Sequence, residues 1–231
     1  MKYVFRSSTY IFLKRGIDLV TTMCYVALLC IAVSFSSSYA SDENVTSSFS
    51  KQTNSRERVR LLKAITDNKG AINVTEAKAM LNLGLSDKKP NVAMEAVLQV
   101  GKLKYEEFEG QIIQTYTNAS KRYKGHSESV RLACIKSLGK LKGERTASFL
   151  ARELAKDQGT VQGGFLLHAA RELKDPSLIK ALERYSLKMA EQIEKGKAAG
   201  DDPMLYSRAK QHYELAENTI QLLRDHEGGI K

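Results

Sequence analysis

The tetrapeptide Gly101-Lys102-Leu103-Lys104 returns unchanged as Gly139-Lys140-Leu141-Lys142, each time closing an apolar run of helical periodicity. The same closing signature after the same kind of run marks a repeated structural unit. Such a unit cannot bury its apolar face alone and must stack on its neighbours. Shifting the chain by the interval between the two copies, and by a slightly shorter one toward the C-terminus, aligns three columns. They are Val59, Val97, Ile135 and Leu167; Leu62, Val100, Leu138 and Ala170; and Ile65, Leu103, Leu141 and Leu173. The columns step by three residues, the spacing of neighbours on one helix face, so each copy is expected to turn one stripe toward a common core. A polar break and a second stripe follow each first one: Phe108, Ile112, Ile113 and Tyr116; Phe149, Leu150 and Leu154; Leu178, Ala181, Leu182 and Tyr185. Each unit therefore reads as a helical hairpin, and the fold class as all-α.

Helix boundaries point the same way. Asp175-Pro176 and Asp202-Pro203 place a side-chain oxygen at the N-cap and a proline at the first helical position, where its missing N–H costs nothing. Asn73-Val74-Thr75-Glu76 has the spacing of a capping box, and the apolar run Ala77, Met80, Leu81 begins at once. Pro90, Pro176 and Pro203 are the three prolines of the chain, and all fall where a helix is expected to start. Period-two alternation bounded by turn residues is absent after residue 50, so no strand is expected.

The run from His168 to Leu182, with Asp175-Pro176 between an Ala/Leu-rich first helix and a Leu-rich second one, resembles the HEAT repeat. Val130 to Leu150 is similar, with Gly143-Glu144 where Asp-Pro would stand. Val92 to Ile113 lacks the Asp-Pro turn as well, and Arg58 to Leu83 is the weakest copy. The resemblance covers residues 56–186. It implies an α-solenoid that binds protein or peptide on a curved face, with the concave row of second helices as the contact surface. HEAT-like families also include bilin lyases and alkyl-base DNA glycosylases, so fold alone leaves an enzyme open.

The N-terminus is a different object. Lys2, Arg6, Lys14 and Arg15 precede a mostly apolar stretch from Val20 to Phe35, and Ser38-Tyr39-Ala40 ends in small residues at a peptidase-like site. Residues 1–40 therefore read as a signal peptide, with an uncleaved signal anchor as the alternative, and the repeats are expected to be exported. Residues 41–55, rich in Ser, Thr and Asn, read as a disordered tether. The net charge is +10; removing Lys2, Arg6, Lys14, Arg15 and Asp18 leaves 32 cations against 25 anions, so a basic surface survives processing. Of three cysteines, Cys24 and Cys30 lie in the leader and Cys134 is left without a partner in the mature chain. That suits a periplasm better than a disulfide-rich extracellular space, whereas the sequons at Asn44, Asn73 and Asn118 argue mildly for a secreted eukaryotic route.

Two further segments break the repeat pattern. Thr117 to Ser129, with Lys121, Arg122, Lys124 and His126, reads as an irregular loop between copies. Residues 187–228 read as a C-terminal helical extension. Met189 and Ile193 prolong one helix, Gly200-Asp201-Asp202-Pro203 makes a turn, and Leu205, Ala209, Tyr213, Ala216, Ile220 and Leu223 form another stripe. Such a pair is expected to fold back as an antiparallel hairpin that caps the array.

Reactive chemistry is thin. Cys134 and His168 raise a cysteine–histidine pair, but Cys134 shares its column with Ala96 and Leu166 and is expected to be buried and inert. His126, His168, His212 and His226 show no metal spacing, and no Cys-x-x-Cys occurs. Glu106, Glu107 and Glu109 cluster at a helix start, where they favour the positive end of its dipole. Gly163-Gly164 reads as a place where helices approach closely rather than a phosphate loop. Catalytic, cofactor and metal sites are accordingly none. Lys104, Lys142 and Lys174 share a column just after the last apolar residue of each first helix, thickened by Lys102 and Lys140. The plainer reading is that lysines complement helix dipoles at about 0.3–1 kcal/mol each; the functional one is a basic edge for an acidic protein or peptide. The chain thus reads as an exported HEAT-repeat interaction or assembly scaffold and not an enzyme, with a HEAT-like chromophore lyase or a nucleic-acid binder as alternatives. Export argues against nucleic acid, and membrane contact is expected only through an uncleaved N-terminus.

Overall fold

In the computed structural model the apolar columns become the contacts of successive helices, over residues 45–67, 72–157 and 159–228, the residues the structure describes. The leader 1–40, with Cys24 and Cys30, and the Asn44 sequon lie outside them. Apart from Val45, the described residues belong to one compact unit, Thr46–Lys231.

Ten α-helices and no strand are found among the described residues. They are α1 Val45–Lys51, α2 Ser55–Asp67, α3 Val74–Leu85, α4 Pro90–Leu103, α5 Glu109–Arg122, α6 Ser127–Leu138, α7 Thr146–Lys156, α8 Val161–Leu173, α9 Ile179–Ala198 and α10 Pro203–Gly228. Short 3-10 turns, Glu106–Phe108 and Pro176–Leu178, lead into α5 and α9. The even-numbered helices touch in succession, α2 on α4, α4 on α6, α6 on α8 and α8 on α10, while α3 touches α5 and α7 touches α9. Alternate helices thus lie in two layers, first helices in one and second helices in the other.

The core lies between these layers. Val97, Ile135 and Leu167 are fully buried, as are Leu62, Val100, Leu138 and Ala170. Each large aliphatic side chain among them contributes roughly 1.5–3 kcal/mol of burial. The second stripes close the core from the other side through Phe108, Ile112, Tyr116, Phe149, Leu150, Leu154, Leu178, Leu182 and Tyr185, all buried.

The repeated glycine sets how closely the first helices approach. A Cβ at Gly101 would lie 2.8 Å from Ser137 Cα, and one at Gly139 would lie 2.6 Å from Ala169 Cα. No side chain fits at either place. The same proximity lets the Ser137 hydroxyl donate to the Val97 carbonyl at 2.7 Å, tying α6 to α4. Beyond the glycine, the identical tetrapeptides diverge. Gly101 is inside α4, and Lys104 ends that helix in the left-handed conformation, φ 55°. By contrast α6 stops at Leu138, and the Leu141 amide turns back to the Ser137 and Leu138 carbonyls. Leu141 is thereby fully buried.

Helix starts follow their sequence signals. Asn73 Oδ1 accepts from the Glu76 amide at 2.9 Å, Asp175 Oδ1 from the Ser177 amide at 2.9 Å, and Asp202 Oδ1 from the Met204 amide at 2.9 Å. The long helices α9 and α10 run antiparallel: Gly196 packs on Tyr206, the Ser186 hydroxyl donates to Glu217 at 2.5 Å, and Arg224 pairs with Glu183 at 2.6 Å.

Two segments differ from their sequence patterns. Residues 41–55 are not tether throughout: Val45–Lys51 is helical, and Phe49, at 2 % exposure, supplies the burial that the polar composition around it conceals. Thr117 to Ser129 is largely helical rather than a loop, α5 running to Arg122 and α6 beginning at Ser127. The cause is an apolar stripe that continues through Ile112, Tyr116, Ala119 and Tyr123, all buried beneath exposed Lys121 and Lys124.

Gly101→Ala should destabilise the protein by about 1–3 kcal/mol, because the methyl meets backbone that cannot yield. Gly110→Ala, whose Cβ meets only the end of Arg145 at 3.7 Å, should stabilise by about 0.5–1 kcal/mol. Urea-unfolding midpoints of the two variants check both signs.

Candidate interaction surface

The outward stripes of the first helices are apolar where a solvated face would be polar. On α4 the stripe reads Asn91, Met94, Glu95, Leu98, Lys102, and on α6 it reads Ser129, Leu132, Ala133, Lys136, Lys140, each at steps of three and four. Together with Arg56 and Val59 of α2 and Phe165 of α8 they enclose a groove of about 490 Å³. Its floor is Val59, Met94, Leu98, Leu132, Ala133 and Phe165. Phe165 is 36 % exposed, and Val161, one turn earlier on α8, is 46 % exposed. Glu95, the one carboxylate in the lining, accepts from Gln99 Nε2 at 2.6 Å. Arg56 and Lys136 are exposed cations at the rim. The groove lies on the first-helix layer, not on the second-helix row that the repeat resemblance implies as the contact face.

The predicted lysines flank this layer. Lys102, Lys104, Lys142 and Lys174 are exposed and Lys140 is half-buried. Lys104 and Lys174 end α4 and α8 in the left-handed conformation, their amides bonded to the Val100 and Ala170 carbonyls. Lys142 follows the divergent turn after α6 and has no positive φ, so the three are not conformational equivalents. Lys102 and Lys140 continue the groove stripes one turn beyond Leu98 and Lys136. Among the described residues, no ion pair engages any of the five.

A buried polar cluster sits at the turn from α7 to α8, which nothing in the sequence patterning singled out. Asp157 Oδ1 accepts from the Gly159 amide at 2.8 Å, the Thr160 amide at 3.0 Å and the Tyr185 hydroxyl at 3.0 Å. The Tyr185 oxygen also meets His212 Nδ1 at 2.8 Å. With the tyrosine proton directed to the carboxylate, the imidazole is the donor in that contact. Gly163 leaves the space: a Cβ there would collide with the Tyr185 hydroxyl and the Asp157 carboxylate. Lys188 donates to the Asp157 carbonyl at 2.8 Å. An acid, a phenol and an imidazole in line suggest a relay, but Asp157, Tyr185 and His212 are 6 %, 2 % and 6 % exposed. The cluster joins the α7–α8 turn to α9 and α10 and offers no surface to a substrate. Burial pushes the Tyr185 hydroxyl far up, with Asp157 adding to it. Burial also lowers His212, Asp157 opposing and nearby Arg208 assisting, so the ring is held neutral.

The remaining candidates separate in space. Cys134 is fully buried, and burial drives its thiol far above the ordinary range, while His168 is exposed. Glu109 does more than complement a dipole: it is buried, accepting from the Thr146 hydroxyl at 2.6 Å and the Arg145 amide at 3.1 Å, and so holds the start of α7. Glu107 pairs with Lys78 at 2.5 Å. Among the described residues, no group of three or more His, Cys, Asp or Glu side chains is placed to hold a metal ion, and no helix is long and apolar enough to cross a membrane. No family model matches the chain, and no curated protein or solved structure is significantly similar to it.

Two predictions follow the buried groups. Cys134 should react with a thiol reagent only as fast as the protein unfolds and rapidly in denaturant; stopped-flow labelling checks this. Because the folded pKa of His212 lies below its unfolded value, its contribution to stability is complete above about pH 6.5 and drains away as pH falls through the folded value, where the unfolded chain takes the proton first. His212→Asn should flatten that acid-side slope in urea midpoints measured from pH 7.5 to 5.

Proposed function

We propose that this chain is an exported α-solenoid of HEAT-like hairpins, closed at its C-terminus by the α9–α10 pair, that serves as a protein-interaction or assembly scaffold. The observation that carries the reading is the apolar groove lined by four successive first helices. A stack of hairpins extends such a surface across its length, and contiguous exposed apolar area on an otherwise polar protein marks a contact site. The aligned stripes support a solenoid over an unrelated bundle, since each first helix meets the next through the same residues. Export rests on the leader pattern of residues 1–40. The face proposed for contact is the first-helix layer.

A photoreactive residue at Phe165, with a second at exposed Leu187 on α9 as reference, should crosslink protein from the first position when the full chain is made in its own cell. The mature chain should be recovered outside the cytoplasm with its N-terminus near residue 41. Retention of the uncleaved chain in the cytoplasm, or absence of captured protein at both positions, would sink the proposal.

A further inference from the structure

We propose that the groove of the first-helix layer receives an acidic amphipathic helix of a partner protein. Its apolar side chains seat among Met94, Leu98, Leu132 and Phe165, and its carboxylates face Lys102, Lys136 and Lys140. The inference rests on the scaffold reading and adds the chemistry of the occupant.

Three observations select that occupant. The groove is a furrow of about 490 Å³ floored by aliphatic and aromatic side chains, a shape that takes a row of protruding side chains rather than a flat surface. It runs across α2, α4, α6 and α8, three interhelical steps of about 8–10 Å each. The resulting ~24–30 Å matches ~16–20 residues of helix at ~1.5 Å per residue, with anchors at the usual steps of three, four and seven. The charge is one-sided. Lys102 continues the α4 stripe beyond Leu98, and Lys136 and Lys140 continue the α6 stripe beyond Leu132, so three lysines lie along the same edge of the furrow. Arg56 stands at the rim on α2, and the only carboxylate of the lining, Glu95, is already engaged by Gln99. A helix with lysines on its polar face would meet cations along that edge; one with glutamates would be steered in and held in register.

The test uses the full chain and a displayed library of amphipathic peptides about 18 residues long, whose polar faces run from all lysine to all glutamate. Glutamate-rich helices should be selected. Their binding should weaken with added salt, fall at least about tenfold for Leu132→Glu and for the more exposed Phe165→Glu, and turn toward lysine-rich helices when Lys102, Lys136 and Lys140 are all changed to Glu. Circular dichroism identifies any variant that fails to fold, and Phe165→Glu and the lysine variant then decide. Selection of neutral or basic helices, of none, or of acidic helices indifferent to Phe165→Glu would overturn the proposal. So would binding to vesicles of anionic lipid that Phe165→Glu abolishes while no acidic helix is selected, which would make the face a membrane surface. Protein captured in the cell with no acidic helix selected would sink this inference and leave the scaffold intact; no protein captured at all would sink the scaffold.

Discussion

The structure depends on the close approach of successive first helices. Where Gly101 faces Ser137 and Gly139 faces Ala169, backbones come near enough that no Cβ fits between them. That proximity turns each apolar column into a continuous buried spine, because Val97, Ile135 and Leu167 can pack only if neighbouring helices keep the same phase. It also exposes what lies on the opposite side. Helices drawn together along one stripe leave a furrow along the other, and here the furrow is lined by Met94, Leu98, Leu132 and Phe165. The groove follows from the same close packing that builds the core.

Between the hairpins the chain is held by buried carboxylates rather than by apolar contact alone. Asp87, 7 % exposed, accepts from the Lys89 amide at 2.7 Å and pairs with Arg58, and its carbonyl receives the Tyr123 hydroxyl at 2.9 Å. Asp157 plays the matching part at the next such turn but one, with Tyr185 as its phenol. Glu109 does so from the start of a helix. Each is satisfied by several donors, which is the condition for a buried charge to stabilise rather than destabilise. The polar groups that look most like chemistry are therefore the joints of the array.

Much of this was legible in the sequence. The columns, the hairpin alternation, the helix starts at Pro90, Pro176 and Pro203 and the burial of Cys134 all follow from period and capping, which are local signals. The groove was not legible, because Met94, Leu98 and Leu132 look like ordinary helix residues until the neighbouring helices show that nothing covers them. Nor was the Asp157–Tyr185–His212 cluster, whose members come from three elements far apart in the chain. Tyr123 and Phe49 were hidden by the lysines and serines around them, although the spacing of Ile112, Tyr116, Ala119 and Tyr123 carried the helical period past the expected loop. The lysine column was legible as a charge pattern but not as conformation, since Lys104 and Lys174 adopt a backbone that Lys142 does not.

Those left-handed lysines divide the hairpins into two kinds. After α4 and after α8 the chain passes through a left-handed lysine, one extended or bridging residue and a 3-10 turn before the next helix begins. After α6 it takes a different path, with neither. The α4–α5 and α8–α9 units are interchangeable at their elbows, while the α6–α7 unit between them is not. Growth of such an array by duplication would have to copy units in pairs to keep every elbow matched to its neighbour, so the natural module of this molecule is four helices long.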